Sequence, residues 1–205
     1  MKRERAVGAV QSGRSSRDGR TLRSERSREA IATALYELVG EGNLLPTAQQ
    51  VSERAGVGIR SVFRHFADME ALYATLDARL REELLPILHQ ARPPAGLSER
   101  TAELVKRRAA LFERITPYKR ASNLHRHRSP FLRSQHGKFV RELRADLLLW
   151  LPELADAPRV LVEALDQATS FEAWDRLRDE QRLGRARAAA AMERAALSLI
   201  RGFGD

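Results

Sequence analysis

From Ile31 onward, apolar side chains recur at intervals of three and four residues, and no stretch alternates at the two-residue period of a strand. That pattern confines the chain to an all-α fold of roughly eight to ten helices. Ile31, Leu35, Leu38 and Val39 mark a first helix that Gly40 and Gly42 end. Thr47, with Gln50 three residues on, predicts a capping box for a short second helix that carries Val51 and Ala55 as far as Gly56. Ile59, Val62, Phe63 and Phe66 have the spacing of packing positions on a third short helix. Asp68 caps a fourth, with Met69, Leu72, Leu76 and Leu80, which Pro86 kinks or ends near Leu85. After the break at Pro93, Pro94 and Gly96, the residues Leu104, Val105, Leu111, Phe112 and Ile115 predict a helix that stops at Pro117, followed by a polar, irregular stretch over 117–130. Three more helices are expected: from about Leu132 to Pro152, from Pro158 through Leu165 toward Leu177, and from near Arg185 through Met192 and Ile200 to Phe203.

The 205 residues allow one large domain or a small one beside a larger one. With no cysteine, a disulfide framework, a cysteine-ligated zinc and a thiol nucleophile are all excluded, while the redox compartment stays open. The strongest apolar run, Leu147 to Leu151, is far shorter than the roughly 20 residues of a membrane span, and the first residues lack a secretory signal's apolar stretch, so no membrane partner and a cytoplasmic location are expected. No Gly-rich phosphate loop, HExxH or GxSxG occurs, so no catalytic residue and no cofactor are expected, and the chain reads as a non-enzyme. His125, His127 and His136 do not predict a metal site. The first two face nearly opposite sides of a helix, and six positive groups between Lys119 and Lys138 would repel a cation.

Charge is concentrated in two zones of a chain with net charge +9. Residues 1–28 hold nine basic groups against three acidic ones, and residues 106–144 hold twelve against two. The opening segment is also rich in Gly and Ser and poor in large apolar side chains, so residues 1–26 are expected to form a flexible basic arm. Such an arm either enters the minor groove and neutralises phosphates or serves as a solubilising tail. Arg23, Arg26 and Arg28, where the arm meets the first helix, are its candidates for DNA contact, and nothing in the sequence ranks one above another.

The most specific stretch is Thr47 to Leu76, in which a short helix, an Ala55-Gly56-Val57 turn and a second short helix make a helix-turn-helix. The turn glycine supplies the left-handed conformation that the sharp crossing needs. In that geometry the second helix enters the major groove, with Gly58, Ile59, Arg60 and Arg64 facing outward. Arg60 either reads guanine O6 and N7 through its fork or holds a phosphate.

Residues Arg28 to Leu76 resemble TetR-type (tetracycline-repressor-like) transcriptional regulators. The likeness lies in the Glu-Gly end of the first helix, the Ala-Gly-Val turn, the run Phe63-Arg64-His65-Phe66 and the start Glu70-Ala71-Leu72 of the fourth helix. The run from Ser170 to Arg178 is similar to a segment in the C-terminal domains of one branch of that family. The resemblance implies an N-terminal helix-turn-helix DNA-binding domain over 27–76 and a larger helical ligand-binding and dimerisation domain over 77–205. It further implies a homodimer built from the last two helices, a double-stranded operator and a small-molecule effector. Thr47 falls where the family contacts a phosphate; its other reading is a plain N-cap, and the two are compatible. Ser61 stands where the family commonly has threonine and keeps a hydroxyl donor. Phe63 replaces the usual tyrosine and Met69 a common lysine, so both departures remove phosphate contacts and put more weight on Arg64, His65 and the arm. His65 reads either as a phosphate contact or as a packed, hydrogen-bonded side chain.

For the effector, Arg126 and Arg128 are the cations that rim a cavity mouth, with Phe112, Tyr118, Phe131, Phe139 and Trp150 as its apolar wall; the alternative for the whole basic block is an exposed face. For the dimer, the small residues Ala188, Ala191 and Ala195 beside the stripe Leu161, Leu165 and Ala168 suggest a four-helix interface, against intramolecular packing. The rival function is a nucleoid-type DNA- or RNA-binding structural protein with sequence-independent affinity.

Overall fold

The computed structural model describes residues 11–88 and 96–201. Among them are nine α-helices, one 3-10 turn and no strand: α1 (Gln11–Gly40), α2 (Ala48–Arg54), α3 (Ile59–His65), α4 (Met69–Leu88), α5 (Leu97–Arg126), α6 (Pro130–Trp150), the 3-10 turn Pro152–Asp156, α7 (Arg159–Ala168), α8 (Phe171–Asp179) and α9 (Arg185–Ile200). They divide into two compact units, with the boundary inside α4 after Leu76.

The core of the first unit gathers Ile31, Leu35 and Val39 of α1, Val51 of α2, Val62 of α3, and Leu72, Tyr73 and Leu76 of α4, with Phe66 just beyond α3. Buried Tyr73 donates its hydroxyl to the Leu44 carbonyl at 2.9 Å, and burial pushes its phenol up to about 12. Gly42, at φ +97°, ends α1 in the left-handed region, where its amide and that of Asn43 return to the carbonyls of Val39 and Leu38. Arg54 grips Glu41 through two bonds of 2.8 and 2.7 Å, which ties α2 to the end of α1.

The first helix begins earlier than its apolar pattern suggests. Residues 11–26, expected in a flexible arm, are the N-terminal half of α1, and residues 1–10 of that arm lie outside the described residues. Once Ile31, Leu35 and Val39 hold the helix in place, each added residue gains a hydrogen bond without a new nucleus. Only Gly13 and Gly19 strongly oppose the extension.

In the second unit α5 packs most extensively on α9 and α6. It passes through Pro117 and ends at Arg126, so the irregular stretch expected over 117–130 is helical for most of its length. One missing amide is outweighed by burial on both sides of the proline, at Phe112, Ile115, Tyr118 and Ala121. Likewise α4 passes through Pro86 to Leu88. The helix expected from Pro158 toward Leu177 is two helices. Ser170 caps α8 by accepting from the Ala173 amide at 3.1 Å, and Arg108 draws off the Thr169 carbonyl at 3.0 Å, where α7 would otherwise have continued. Phe203, expected on the last helix, lies outside the described residues.

Candidate functional site

Thr47 opens α2 with a complete capping box: its hydroxyl accepts from the Gln50 amide at 3.2 Å and its own amide donates to Gln50 Oε1 at 2.9 Å. Thr47 is exposed, so the cap leaves its hydroxyl accessible from solvent. Gly56 follows at φ +63°, and its amide and that of Val57 close back on Glu53 and Ser52. A Cβ at Gly56 would meet no atom within 4 Å; the conformation, rather than crowding, calls for glycine there. Gly58, the N-cap of α3, is different. Its φ of −70° suits any residue and its surroundings are equally open, so nothing inside the protein requires a glycine at that position.

On α3, Val62 is buried, as is Phe66 immediately after it, while Ile59, Arg60, Phe63 and Arg64 lie on the exposed side. Phe63 has half of its surface in solvent, at 52%, and Ile59 40%. The sequence spacing placed Phe63 among the packing residues. In the structure the short helix needs only Val62 and Phe66 to hold it, and Phe63, one residue past Val62, turns about 100° away from it. Arg60, Phe63 and Arg64 share a face at i, i+3 and i+4. Ser61, partly exposed, accepts from Arg64 Nη2 at 3.2 Å.

His65 is turned inward. Its Nε2 is buried with no hydrogen-bond partner, and burial, then the charges of Arg64 and Arg28, hold its pKa below the ordinary histidine value. Nε2 therefore faces the interior, as in the packed alternative though without a hydrogen bond there, while the side chain as a whole stays partly exposed. Arg28 lies over the Phe66 ring at 5.3 Å and fixes its guanidinium beside α3. Arg23, Arg26 and Arg28 are all exposed on α1.

The second unit separates its expected residues. Phe112, Tyr118, Phe139 and Trp150 are buried, and Phe112 and Phe139 both meet Phe171 edge-on, with ring centroids 5.6 and 6.4 Å apart. Phe131 and Arg128, beside the α5–α6 turn, are exposed and do not join them; Arg126 is partly buried. Leu165 and Ala188 are fully buried within the protomer and present nothing to a second chain. Ala168, Ala191 and Ala195 line one groove of about 450 Å³ together with Ala173 and Leu177, and Leu161 is partly exposed on α7.

Several charged groups are buried that no sequence motif singled out. Arg108, 1% exposed, donates to the Thr169 carbonyl at 3.0 Å, to Thr169 Oγ1 at 2.8 Å and to the Leu143 carbonyl, and lies 3.4 Å from Asp146. Lys119, 2% exposed, places its ammonium 4.3 Å from the centre of the Phe139 ring. The apolar stripe of α5 does carry a signal for both: Arg108 stands midway between Leu104 and Phe112, and Lys119 four residues after Ile115. Among the described residues no group of His, Asp and Glu has the geometry to hold a metal, and no helix is long and apolar enough to cross a membrane.

No protein-family model and no curated protein sequence matches the chain. Solved structures do. A TetR-family regulator from Streptomyces coelicolor superposes with a TM-score of 0.68 at 16% identity, over 87% of this chain and 82% of that one. A transcriptional regulator from Rhodococcus sp. Rha1 gives 0.63 at 19% identity over 85% and 96% of the two chains. A TetR-family regulator described as putative, from Mesorhizobium loti MAFF303099, gives 0.63 at 16% identity over 88% and 98%. The two-unit, all-helical architecture of this chain, with its short-helix pair around Gly56, is the fold of the TetR-family transcriptional regulators.

Proposed function

We propose that the chain is a DNA-binding transcriptional regulator, acting as a repressor on a palindromic operator. Residues 27–76 contact DNA, and residues 77–205 carry effector binding and dimerisation. The carrying observation is the exposed side of α3. Ile59, Arg60, Phe63 and Arg64 stand outward on a helix too short to bury them, held by Val62 and Phe66 behind a left-handed Gly56. Arg60 reads a guanine edge, Ile59 and Phe63 meet thymine methyls, and the open position of Gly58 lets the start of α3 approach the groove closely. The hydroxyls of Thr47 and Ser61 and the arginines Arg23, Arg26, Arg28 and Arg64 take phosphates.

Two recognition helices must meet half-sites about 34 to 36 Å apart or a multiple of that spacing, which calls for a second copy of the chain. Its interface uses the exposed side of α7 and α9 at Leu161, Ala168, Ala191 and Ala195; a charge at Leu165 would disrupt the protomer's own core and reveal nothing about assembly. The effector occupies the second unit near the aromatic cluster of Phe112 and Phe139, with Arg126 among its cations.

Selection of bound duplexes from a random pool at fixed salt tests this reading. A regulator enriches one palindrome and prefers it by about 10³ or more over unrelated DNA. Equal affinity for every duplex overturns the proposal in favour of a sequence-independent structural protein.

A further inference from the structure

Lys119 is a buried cation whose short contact is an aromatic face. Among the described residues no carboxylate lies within ion-pair distance of its ammonium and no hydrogen-bond acceptor is in place; Asp77 and Glu172 act on it only at longer range. Burial, foremost, pushes its pKa down, and burial likewise pushes that of Asp77 up. One turn further along the same side of α5, Ser122 is 5% exposed and its hydroxyl has no partner. On α6, His136 has a buried Nδ1 with no partner, and its Nε2 stands 3.8 Å from Glu172. Burial, then the charges of Lys119 and Arg126, holds this imidazole down to about 4, so it is neutral and able to donate one proton. Buried polar groups are normally paired, and two with unused capacity, on α5 and α6 beside one buried ammonium, form a built receptor for an acceptor-rich group. The surroundings limit what that group is attached to. Phe139 flanks the ammonium and leads through Phe171 to Phe112, an edge-to-face set of rings that favours an aromatic body. Asp77 and Glu172 nearby repel a second negative charge.

We propose that Lys119, assisted by Ser122 and His136, binds the carboxylate of an aryl monocarboxylic acid whose ring packs against Phe139 and Phe171. This rests on the reading of residues 77–205 as an effector domain and names the effector's chemistry. It also moves the anion's anchor from the rim at Arg126 and Arg128 to a fully buried lysine.

The test measures binding by calorimetry and thermal shift on the full chain, without DNA, using phenylacetate and 1-naphthoate against their neutral primary amides. The carboxylates are expected to bind wild-type protein about tenfold or more tighter than the amides. In Lys119→Met that ratio falls to about one while the amides still bind, and the unliganded variant melts no lower than wild type, because a buried unpaired charge has been replaced by an apolar chain of similar length. Ser122→Ala, a smaller change, reduces carboxylate affinity a few-fold and leaves the amides unaffected. Equal binding of acid and amide, no binding of either, or discrimination that survives in Lys119→Met overturns the proposal. The wider reading fails separately. If neutral lipophiles release the selected duplex although the acids do not bind, the regulator stands without this site. Acids that bind through Lys119 and leave DNA affinity unchanged keep the site and remove its effector role.

Discussion

Between Thr21 and Leu76 no charged side chain is buried, and Ser52 is the single buried serine, threonine, asparagine or glutamine. Beyond Leu76, Arg108, Lys119 and Asp146 are all withdrawn from solvent. The first unit keeps its cations outside and holds its short helices by local devices: a capping box at Thr47, a left-handed glycine at 56, an exposed Arg54 pair. The second ties helices together with a guanidinium whose partners lie 35 to 61 residues away in sequence. Surface cations are free to meet a polyanion, whereas buried ones fix an interior or await a ligand. Charge therefore has a different task on each side of Leu76.

The largest effect expected from this contrast is at Arg108. Arg108→Ala takes a buried guanidinium away from Asp146 and leaves the carbonyls of Thr169 and Leu143 without this donor, for a loss of about 3 to 5 kcal/mol in urea unfolding. Arg54→Ala, which breaks a solvated pair, should barely move the same curve. Equal losses from the two would abolish the distinction drawn between the units. Arg60→Ala comes next and should leave stability alone. It is expected to weaken the selected duplex by about 1 to 3 kcal/mol and unrelated DNA by less, as fluorescence anisotropy at constant salt would register. A uniform loss across sequences assigns Arg60 to the phosphate backbone.

A further effect is a pH dependence carried chiefly by the second unit. With a folded pKa of about 4 against an ordinary 6.5, His136 stays neutral in the folded chain while the unfolded chain takes up a proton. Its contribution to stability is complete above about 6.5 and declines as the pH falls toward 4. His136→Phe should flatten that decline when wild type and variant are unfolded in parallel at pH 7, 5.5 and 4.5. Parallel curves would mean that the imidazole is more accessible than its surroundings imply.

The first unit was the more legible in sequence for the same reason that its charges are exposed. Thr47 with Gln50, the turn at Gly56 and the cap at Asp68, whose carboxylate accepts from the Ala71 amide at 2.8 Å, act within three or four residues, the range over which periodicity and capping rules operate. What that reading missed there was the outward turn of Phe63 and the inward turn of His65, both set by how few core contacts a seven-residue helix needs. In the second unit the course of α5 through Pro117 and the division of α7 from α8 depend on burial and on Arg108, which the chain brings together only on folding. Leu165 and Ala188 are buried inside the protomer, and a small-residue stripe looks the same in sequence whether it meets a neighbour in the same protomer or in another.

The exposed Ile59 and Phe63 have a thermodynamic consequence for DNA binding as proposed. Arginine contacts to phosphates act by displacing condensed counterions, and their share of the affinity fades as salt is raised, by a slope of about −0.9 per phosphate. An isoleucine and a phenylalanine displace no ions. The area they bury against thymine methyls contributes at every salt concentration and gives association a negative heat-capacity change. Extrapolated to 1 M salt, the affinity should retain an intercept that a purely basic recognition helix would lack, and that residue of binding should strengthen on warming from the cold where the ionic part does not.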